Sequence, residues 1–394
     1  MIKAEKVKIS QLALILLIVI PGGKYLSLPS YMYSISGRDS WLSFLLLFVL
    51  DFVCFLFTLW AINLNRRGLS LNEILTRTLS PVGAKIIFAV FTVFCLLRVT
   101  VLLLGCVDLF SSTFVINTNW LAYIIPIALL VAVSLVQGVR NVARLTEMLF
   151  VFVMLALLSI IFLSLRSADF SNLRPFLYGS RTRGNTKHHQ AVRRLAEGMV
   201  PCQFWFADSV FLLFFLEKVE APKKKDNVLL CVMLLIGILV TMALVVLYVA
   251  LFGNASGING IAITKVSQFN ISNNSYGRLD WLSISIWMCS IFIKIIVFSF
   301  CAYSAIVWTV GYKKEKFNWW VFLSMVVPVI ALPLFFEMET FIFNQVSKGF
   351  VKYILIVVQY VLPICLPFLT KAACAKDGRE KKTSGAGRVK GEAV

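Results

Sequence analysis

The feature of this sequence that most constrains its fold is a series of long apolar runs. Because lipid offers the backbone no hydrogen-bond partners, a segment that crosses it must be an α-helix or part of a closed barrel. A spanning helix needs about 20 apolar residues, and a barrel strand needs about ten. The runs of 17 or more largely apolar residues predict ten transmembrane α-helices, near 10–31, 41–62, 86–111, 120–136, 146–165, 197–216, 227–252, 281–310, 319–336 and 351–369.

The composition agrees with a bilayer environment. The chain is 59% hydrophobic and only 14% charged, whereas soluble domains are about 25% charged. The net charge of +19 raises the possibility of nucleic-acid binding, but most basic residues flank the apolar runs, so we expect no nucleic-acid partner. With the N-terminus inside, the cytoplasmic segments hold 23 Lys and Arg residues and the external segments hold 11. This asymmetry predicts that both termini are cytoplasmic.

A long basic loop at 166–196 divides the predicted helices into two sets of five. The first set covers about 10–165 and the second about 197–369. An odd number of helices in each half puts the two halves in opposite orientations. We therefore predict an all-α integral membrane domain over 1–370, built as a 5+5 inverted repeat. Residues 371–394 lack apolar periodicity, which predicts a disordered, basic cytoplasmic tail.

The first and sixth predicted helices carry interruptions in matching places. Pro21-Gly22-Gly23-Lys24 interrupts the first, and Pro201 with the following Cys-Gln-Phe-Trp-Phe-Ala-Asp interrupts the sixth. Proline removes a backbone hydrogen bond and glycine lowers helix propensity, so we expect both helices to open. Paired broken helices indicate a transporter-type binding site. A pair of ordinary proline kinks is the alternative.

Five ionisable residues lie where the membrane should be apolar: Lys24, Asp51, Arg98, Asp208 and Lys294. Each costs at least about 2.5 to 3.5 kcal/mol on insertion scales, so such residues usually face the bundle interior and find partners. Three basic groups against two acidic ones leave one positive charge. Either a substrate carboxylate balances that charge or a desolvated lysine loses its proton.

Two of these residues allow two interpretations each. Lys24 either supports the binding site electrostatically, where a related transporter holds a sodium ion, or extends to water through the break. Asp51 either contributes to binding or forms an interhelical ion pair with Arg98 or Lys294.

We predict a ligand site at and between the two breaks. Phe204, Trp205 and Phe206 either wall a pocket for a small apolar side chain or pack as ordinary core residues. The predicted ligand-binding residues are Gly22, Gly23, Lys24, Phe204, Trp205 and Asp208, with Arg98 and Lys294 farther out.

The sequence carries no signature of an enzyme, a cofactor or a metal site. The nine cysteines are scattered without metal-ligand spacing. A glycine-rich phosphate loop, an HExxH motif and a G-x-S-x-G elbow are all missing from the sequence. We therefore expect no cofactor, no metal and no enzymatic activity.

Several short motifs resemble one family of membrane proteins over about residues 7–372. They are Gln11, Leu28-Pro29, Asp39-x-Trp41, Asn172-Leu173-Arg174-Pro175 with Gly179, Asp208, Lys223-Lys224-Lys225, Arg278-Leu279-Asp280 and Trp287. Together they are similar to the spore-germination permease family. This family comprises the B-type membrane subunits of nutrient germinant receptors, within the amino acid, polyamine and organocation transporter superfamily. Lys24 and the long basic loop depart from its pattern, and a glutamate is usual at Asp208.

The resemblance implies a LeuT-like fold of ten helices, with a small-molecule nutrient bound between the breaks of helices one and six. Helix dipoles at such breaks can hold the charged groups of a free amino acid. It also implies a complex with an A-type membrane subunit and a C-type lipoprotein in the inner membrane of a bacterial endospore. The alternatives are a proton-coupled amino acid transporter and a membrane scaffold that binds no ligand.

Overall fold

The computed structural model describes residues 6–24, 27–113, 121–174, 187–219, 223–258, 265–266, 280–311, 317–335, 349 and 351–390. The described α-helices are α1 (Ile9–Val19), α2 (Leu28–Ser36), α3 (Ser40–Leu64), α4 (Leu71–Thr78), α5 (Pro81–Thr113), α6 (Leu121–Gln137), α7 (Val139–Leu165), α8 (Lys187–Cys202), α9 (Lys224–Phe252), α10 (Asp280–Val310), α11 (Trp319–Phe335), α12 (Val351–Ile356) and α13 (Leu362–Lys390). Short 3-10 segments cover Gly37–Asp39, Phe170–Leu173, Gln203–Trp205, Asp208–Phe215 and Gly253–Gly257, and a π-helix covers Val357–Val361.

Each apolar run that predicted a helix coincides with helical structure. Within the described residues, seven helical segments are long and apolar enough to cross a membrane, and three shorter apolar helices accompany them. The prediction of a multi-pass α-helical membrane protein is confirmed. The first predicted helix is interrupted between α1 and α2, and the sixth between α8 and Asp208–Phe215. The count of ten spans and the inverted repeat stay predictions.

The two interrupted helices lie at the centre of the protein. Eight of the 11 residues of α1 are buried, and so is every residue of Asp208–Phe215. α1 packs against α7, α9 and α10, and Asp208–Phe215 packs against α3 and α10. α10 also packs along α5. A helix that is apolar on all sides must be covered by protein or lipid, and here neighbouring helices cover both broken segments.

A backbone contact joins the start of the first broken helix to the end of the second. The Val7 N–H donates to the Lys218 carbonyl at 3.0 Å, and Val7 forms an isolated parallel bridge with Val219. The Gln11 amide donates to Glu147 of α7 at 3.1 Å. The chain that enters α1 is therefore tied both to the chain that leaves Asp208–Phe215 and to α7.

α4 forms where no apolar run predicted a helix. The Ser70 hydroxyl accepts from the Glu73 N–H at 3.2 Å, and the Glu73 carboxylate accepts from the Ser70 N–H at 2.8 Å. This reciprocal pair is a capping box, which satisfies free N–H groups at a helix start. Leu71, Ile74 and Leu75 are buried, and α4 packs on α13. Eight residues are too few to register as an apolar run.

The end of the last helix differs from its prediction. The apolar run ends near residue 369, and we expected a disordered tail from residue 371. α13 instead continues to Lys390, so the structure places a helix where the tail was predicted. Lysine, alanine, glutamate and arginine favour helix, which explains how α13 outlasts its apolar part. Residues 391–394 lie outside the described residues.

Candidate functional site

The first break follows from Pro21 and the glycines after it. Pro21 has no N–H to donate back into α1, so the helix ends there. Gly23 has a φ of +80°, a left-handed conformation that glycine adopts without steric cost. The Lys24 N–H returns to the Pro21 carbonyl at 3.2 Å and closes a turn. This turn leaves the carbonyl oxygens of Ile20 and Gly22 available to side chains.

The second break is centred on Ala207. α8 ends at Cys202, Gln203–Trp205 forms one 3-10 turn, and a second 3-10 segment begins at Asp208. Ala207 has a φ of +58°, which costs a non-glycine residue about 1 to 3 kcal/mol. The Asp51 carboxylate of α3 accepts a hydrogen bond from the Ala207 N–H at 2.7 Å. This charge-assisted bond stabilises the strained residue directly before Asp208.

One carboxylate at the second break joins three buried cations. Asp208 forms ion pairs with Lys24 of the first break, Arg98 of α5 and Lys294 of α10. The Lys294 ammonium is 2.9 Å from the Asp208 carboxylate. Lys24, Arg98 and Asp208 are only 1%, 2% and 1% exposed, and Lys294 is 2% exposed. We call these four residues the ion cluster.

Each cation of the ion cluster also binds a backbone carbonyl of an opened helix. Lys24 donates to the Ile20 carbonyl at 2.8 Å, and Lys294 donates to the Gly22 carbonyl at 2.8 Å. Arg98 donates to the carbonyls of Phe204 and Phe206. Carbonyls freed by unwinding must find donors in a dry interior. The cations supply those donors, so the ion cluster stabilises both breaks at once.

The structure excludes one of the two interpretations of Lys24 and one of the two of Asp51. Lys24 does not extend to water, because its ammonium is buried against Asp208 and Ile20. Arg98 and Lys294 both pair with Asp208, and Asp51 accepts from Ala207 instead. The interhelical ion pair predicted for Asp51 is therefore wrong. The partner of the Asp51 carboxylate is the N–H of the strained residue Ala207, where a cation was expected.

Aromatic rings enclose the cations. The Lys24 ammonium lies 5.5 Å from the Phe48 ring centre and 5.3 Å from that of Phe206. The Arg98 guanidinium lies 5.1 to 5.3 Å from the rings of Phe94, Phe204 and Phe298. Cation–π contacts of this kind strengthen when water is excluded. Phe204 is therefore part of the site. The ring centre of the half-buried Trp205 lies 5.9 Å from that of Phe204, so Trp205 packs behind Phe204.

Two candidate site residues on the π-helix Val357–Val361, Gln359 and Tyr360, were not predicted from the sequence. The Gln359 amide nitrogen lies 3.2 Å from the Phe204 carbonyl and 3.4 Å from the Phe206 carbonyl. The Tyr360 hydroxyl donates to the Gln203 carbonyl at 3.3 Å. Both are neutral residues in an apolar run, so a search for charges passes over them. The available signal was a lone glutamine within a predicted span, and π-helical turns often mark functional positions.

The most specific family motif holds the loop after α7 against the end of α9. The Asn172 amide donates to the Ala250 carbonyl at 2.8 Å, and Gly253, with a φ of +49°, leaves room for the Asn172 side chain. Arg38 donates to the Arg174 carbonyl at 2.7 Å. Hydrogen bonds from Ser171 hold the pKa of Asp169 below its usual value.

The other motif residues lie outside the described residues. They are Pro175, Gly179, Arg278 and Leu279, and the side chains of Asp280 and Trp287.

We expect Asn172→Ala to lower the free energy of unfolding by about 1 to 2 kcal/mol. The substitution removes one hydrogen bond and leaves the Ala250 carbonyl without that donor. Thermal unfolding of the purified protein in detergent measures the change. Asn141→Ala, on the exposed surface of α7, is the control and should change stability by less than about 0.5 kcal/mol. Equal effects of the two substitutions would contradict the structural role of the motif.

Comparison with models of protein families identifies the family of this chain. The model described as "Spore germination protein" matches residues 6–339, which is most of the chain. The chain belongs to this family of spore germination permeases. The resemblance seen in the sequence motifs is thereby confirmed. A comparison with curated protein sequences gives no match.

Solved structures share the fold of this spore germination permease. Two mutant forms of the manganese transporter from Eremococcus coleocola each match it with a TM-score of 0.53 and 13% identity. Each match covers 90% of this chain and 78% of that chain. Identity this low shows the fold alone. The permease is thus an α-helical protein that shares its fold with this manganese transporter.

The ion cluster links the two broken helices of the spore germination permease. Lys24 and the Gly22 carbonyl belong to the first break, Asp208 belongs to the second, and Lys294 binds both. Ion pairs in a dry site are strong while intact, and breaking one leaves an uncompensated buried charge. The link is therefore expected to hold unless another charged group replaces Asp208 or one of the cations.

Proposed function

We propose that this permease is the B-type membrane subunit of a spore nutrient germinant receptor. It binds a small nutrient, an amino acid in our proposal, at mid-membrane and signals to an A-type membrane subunit and a C-type lipoprotein. The observation that carries the proposal is the ion cluster, which joins the two helix breaks in the membrane interior. A ligand that enters this cluster binds one arrangement of the breaks better than the other, which is the requirement for a signal.

The predicted ligand-binding residues are proposed to act together at this place. Gly22, Lys24, Phe204, Arg98, Asp208 and Lys294 contact one another in the ion cluster or its carbonyl partners. Gly23 allows the turn that presents Lys24, and Trp205 supports Phe204. In the proposed role, Lys24 supplies the positive charge that a sodium ion supplies in related transporters.

The proposed setting is the inner membrane of a bacterial endospore, with both termini in the cytoplasm. Membership in the spore germination family supports this setting. The distribution of 23 basic residues on one side and 11 on the other supports the orientation. The likeness to a transporter fold supports the ten-helix inverted repeat.

A proton-coupled amino acid transporter is the second candidate. The transporter fold of the neighbours favours it, because a fold of this type can serve a carrier as well as a receptor. A scaffold that binds no ligand is the third, since Asp208 already pairs with each of the three cations. Manganese, which the structural neighbours carry by name, does not suit the ion cluster, because three cations surround its only carboxylate and repel a divalent cation.

A ligand panel on the purified protein tests the proposed function. We expect one amino acid to stabilise the native protein by roughly 2.7 kcal/mol when present at about 100 times its dissociation constant. Lys24→Met should lose this response, because it removes a cation of the ion cluster. Lys225→Met, at an exposed position of α9, should keep it. Thermal unfolding with amino acids, sugars and nucleosides is the measurement.

Three outcomes separate the candidates. Stabilisation without flux in proteoliposomes supports the receptor, and uptake that depends on a pH gradient supports the carrier. If Lys24→Met retains full ligand affinity and the same pH response, Lys24 has no part in binding. If no compound of the panel stabilises the protein, alone or with its partner subunits, the scaffold is favoured.

A further inference from the structure

The buried charges around Asp208 do not balance when all of them are ionised. Lys24, Arg98 and Lys294 then carry three positive charges, and Asp208 and Asp51 carry two negative ones. Asp51 is 6% exposed and is engaged by the Ala207 N–H at 2.7 Å. The three cations thus share the single carboxylate of Asp208. Buried charges are normally compensated, so this place accommodates an anion better than any neutral or positive ligand.

The hydrogen-bond donors of the three cations also outnumber their acceptors. Two ammonium groups and a guanidinium offer eleven N–H donors in total. Their acceptors in the described residues are the Asp208 carboxylate and the carbonyls of Ile20, Gly22, Phe204 and Phe206. The Nε–H of Arg98 is buried and has no partner among the described residues. An unpartnered donor on a buried guanidinium points to an acceptor that this conformation does not supply.

We propose that Lys24, Arg98 and Lys294 form a carboxylate-binding site, which Asp208 fills in this conformation and yields to the carboxylate of an incoming small ligand. The guanidinium and two ammonium groups can hold a carboxylate in several hydrogen-bonding arrangements. This inference rests on the proposed function and defines the ligand class as small carboxylates. Positively charged compounds are repelled by the three cations, and sugars carry no carboxylate that could replace Asp208.

The exchange explains how binding would loosen the link between the breaks. Lys24 and Lys294 keep their carbonyls at Ile20 and Gly22, so they stay with the first break. Asp208 belongs to the second break and follows the left-handed residue Ala207. Once a ligand carboxylate replaces Asp208, the three cations remain compensated and Ala207 is free to relax. The direct tie between Asp208 and the first break is then released without leaving the three cations unpaired, while Arg98 keeps its carbonyls at Phe204 and Phe206.

Rescue of Asp208→Ala by acetate tests the site without knowledge of the nutrient. This variant removes the internal carboxylate and leaves the three cations in place. We expect acetate to raise its melting temperature by several degrees with saturation, beyond the effect of chloride at equal ionic strength. The wild type and Glu147→Ala, which loses a carboxylate on α7, should respond to acetate no more than to chloride. A Lys24→Met change added to Asp208→Ala should weaken the rescue.

Equal responses of Asp208→Ala to acetate and chloride would overturn the proposal. If Asp208→Ala cannot be purified, Asp208→Asn keeps the side-chain volume and is measured in the same way, with the same expected and overturning results. The test is independent of the nutrient panel. Acetate rescue without any panel ligand supports the carboxylate site and removes support from the receptor role. A panel ligand without acetate rescue supports the receptor and refutes the exchange.

Discussion

Replacing Arg98 with methionine should lower the free energy of unfolding by about 3 to 5 kcal/mol, the cost of breaking a buried ion pair from one side. The guanidinium pairs with Asp208 and donates to the Phe204 and Phe206 carbonyls, so its loss removes one of the three cations from the carboxylate and the charged donor from both carbonyls. Arg98→Lys should recover only part of the loss, because an ammonium cannot reproduce the planar fork. Thermal unfolding in detergent measures both variants.

The matched control is Arg193→Met on α8. Arg193 also pairs with a carboxylate, Glu197 at 2.7 Å, but the two side chains are 80% and 49% exposed. Exposed pairs of this kind contribute about 0 to 1 kcal/mol. If Arg98→Met proved no more harmful than Arg193→Met, the second break would be held by other contacts, and the central role of Arg98 would be wrong.

Gly23→Ala should destabilise the protein by roughly 2 to 5 kcal/mol. An alanine at the φ of +80° is strained by about 1 to 2 kcal/mol, and its Cβ would lie 2.5 Å from the Leu102 Cδ2. Relieving that overlap costs a further 1 to 3 kcal/mol or so in a packed core. The change also displaces the turn that presents Lys24 to Asp208. Thermal unfolding in detergent gives the total effect.

Gly311→Ala separates the two causes. Gly311 has a φ of +82°, but nothing lies within 4 Å of its added Cβ. It should therefore show the backbone strain alone, at about 1 to 2 kcal/mol. Adding Leu102→Ala to Gly23→Ala should restore part of the stability by removing the overlap. A cost at Gly23 no greater than that at Gly311 would show that Leu102 moves aside freely.

Much of the architecture could be predicted because membrane helices follow from the local sequence. The apolar runs, the break at Pro21 and the break near Ala207 each depend on a few consecutive residues. Lys24, Asp208, Arg98 and Lys294 could be selected as candidates because charges are rare at this depth. The family itself was found from motifs, and the family model confirms it.

The partners of these charges could not be predicted in the same way. Asp51 and Asp208 are both carboxylates in apolar runs, and only the packing of α3, α5 and α10 decides which one receives the cations. The carbonyls of Phe204 and Phe206 lie in unwound backbone and accept hydrogen bonds from side chains. No sequence pattern predicts which side chains these are. Gln359 acts through a neutral amide, and its position opposite those carbonyls depends on the π-helix.

The bond between Val7 and Lys218 gives the two broken segments a second attachment, different in kind from the first. α1 and Asp208–Phe215 are joined near one end by the ion cluster and at the other by a backbone hydrogen bond. A ligand can compete for the charges of the first attachment, but it carries nothing that competes with the second. Release at the ion cluster would therefore turn the two segments about a fixed pivot, and the largest displacement would arise where the ligand binds.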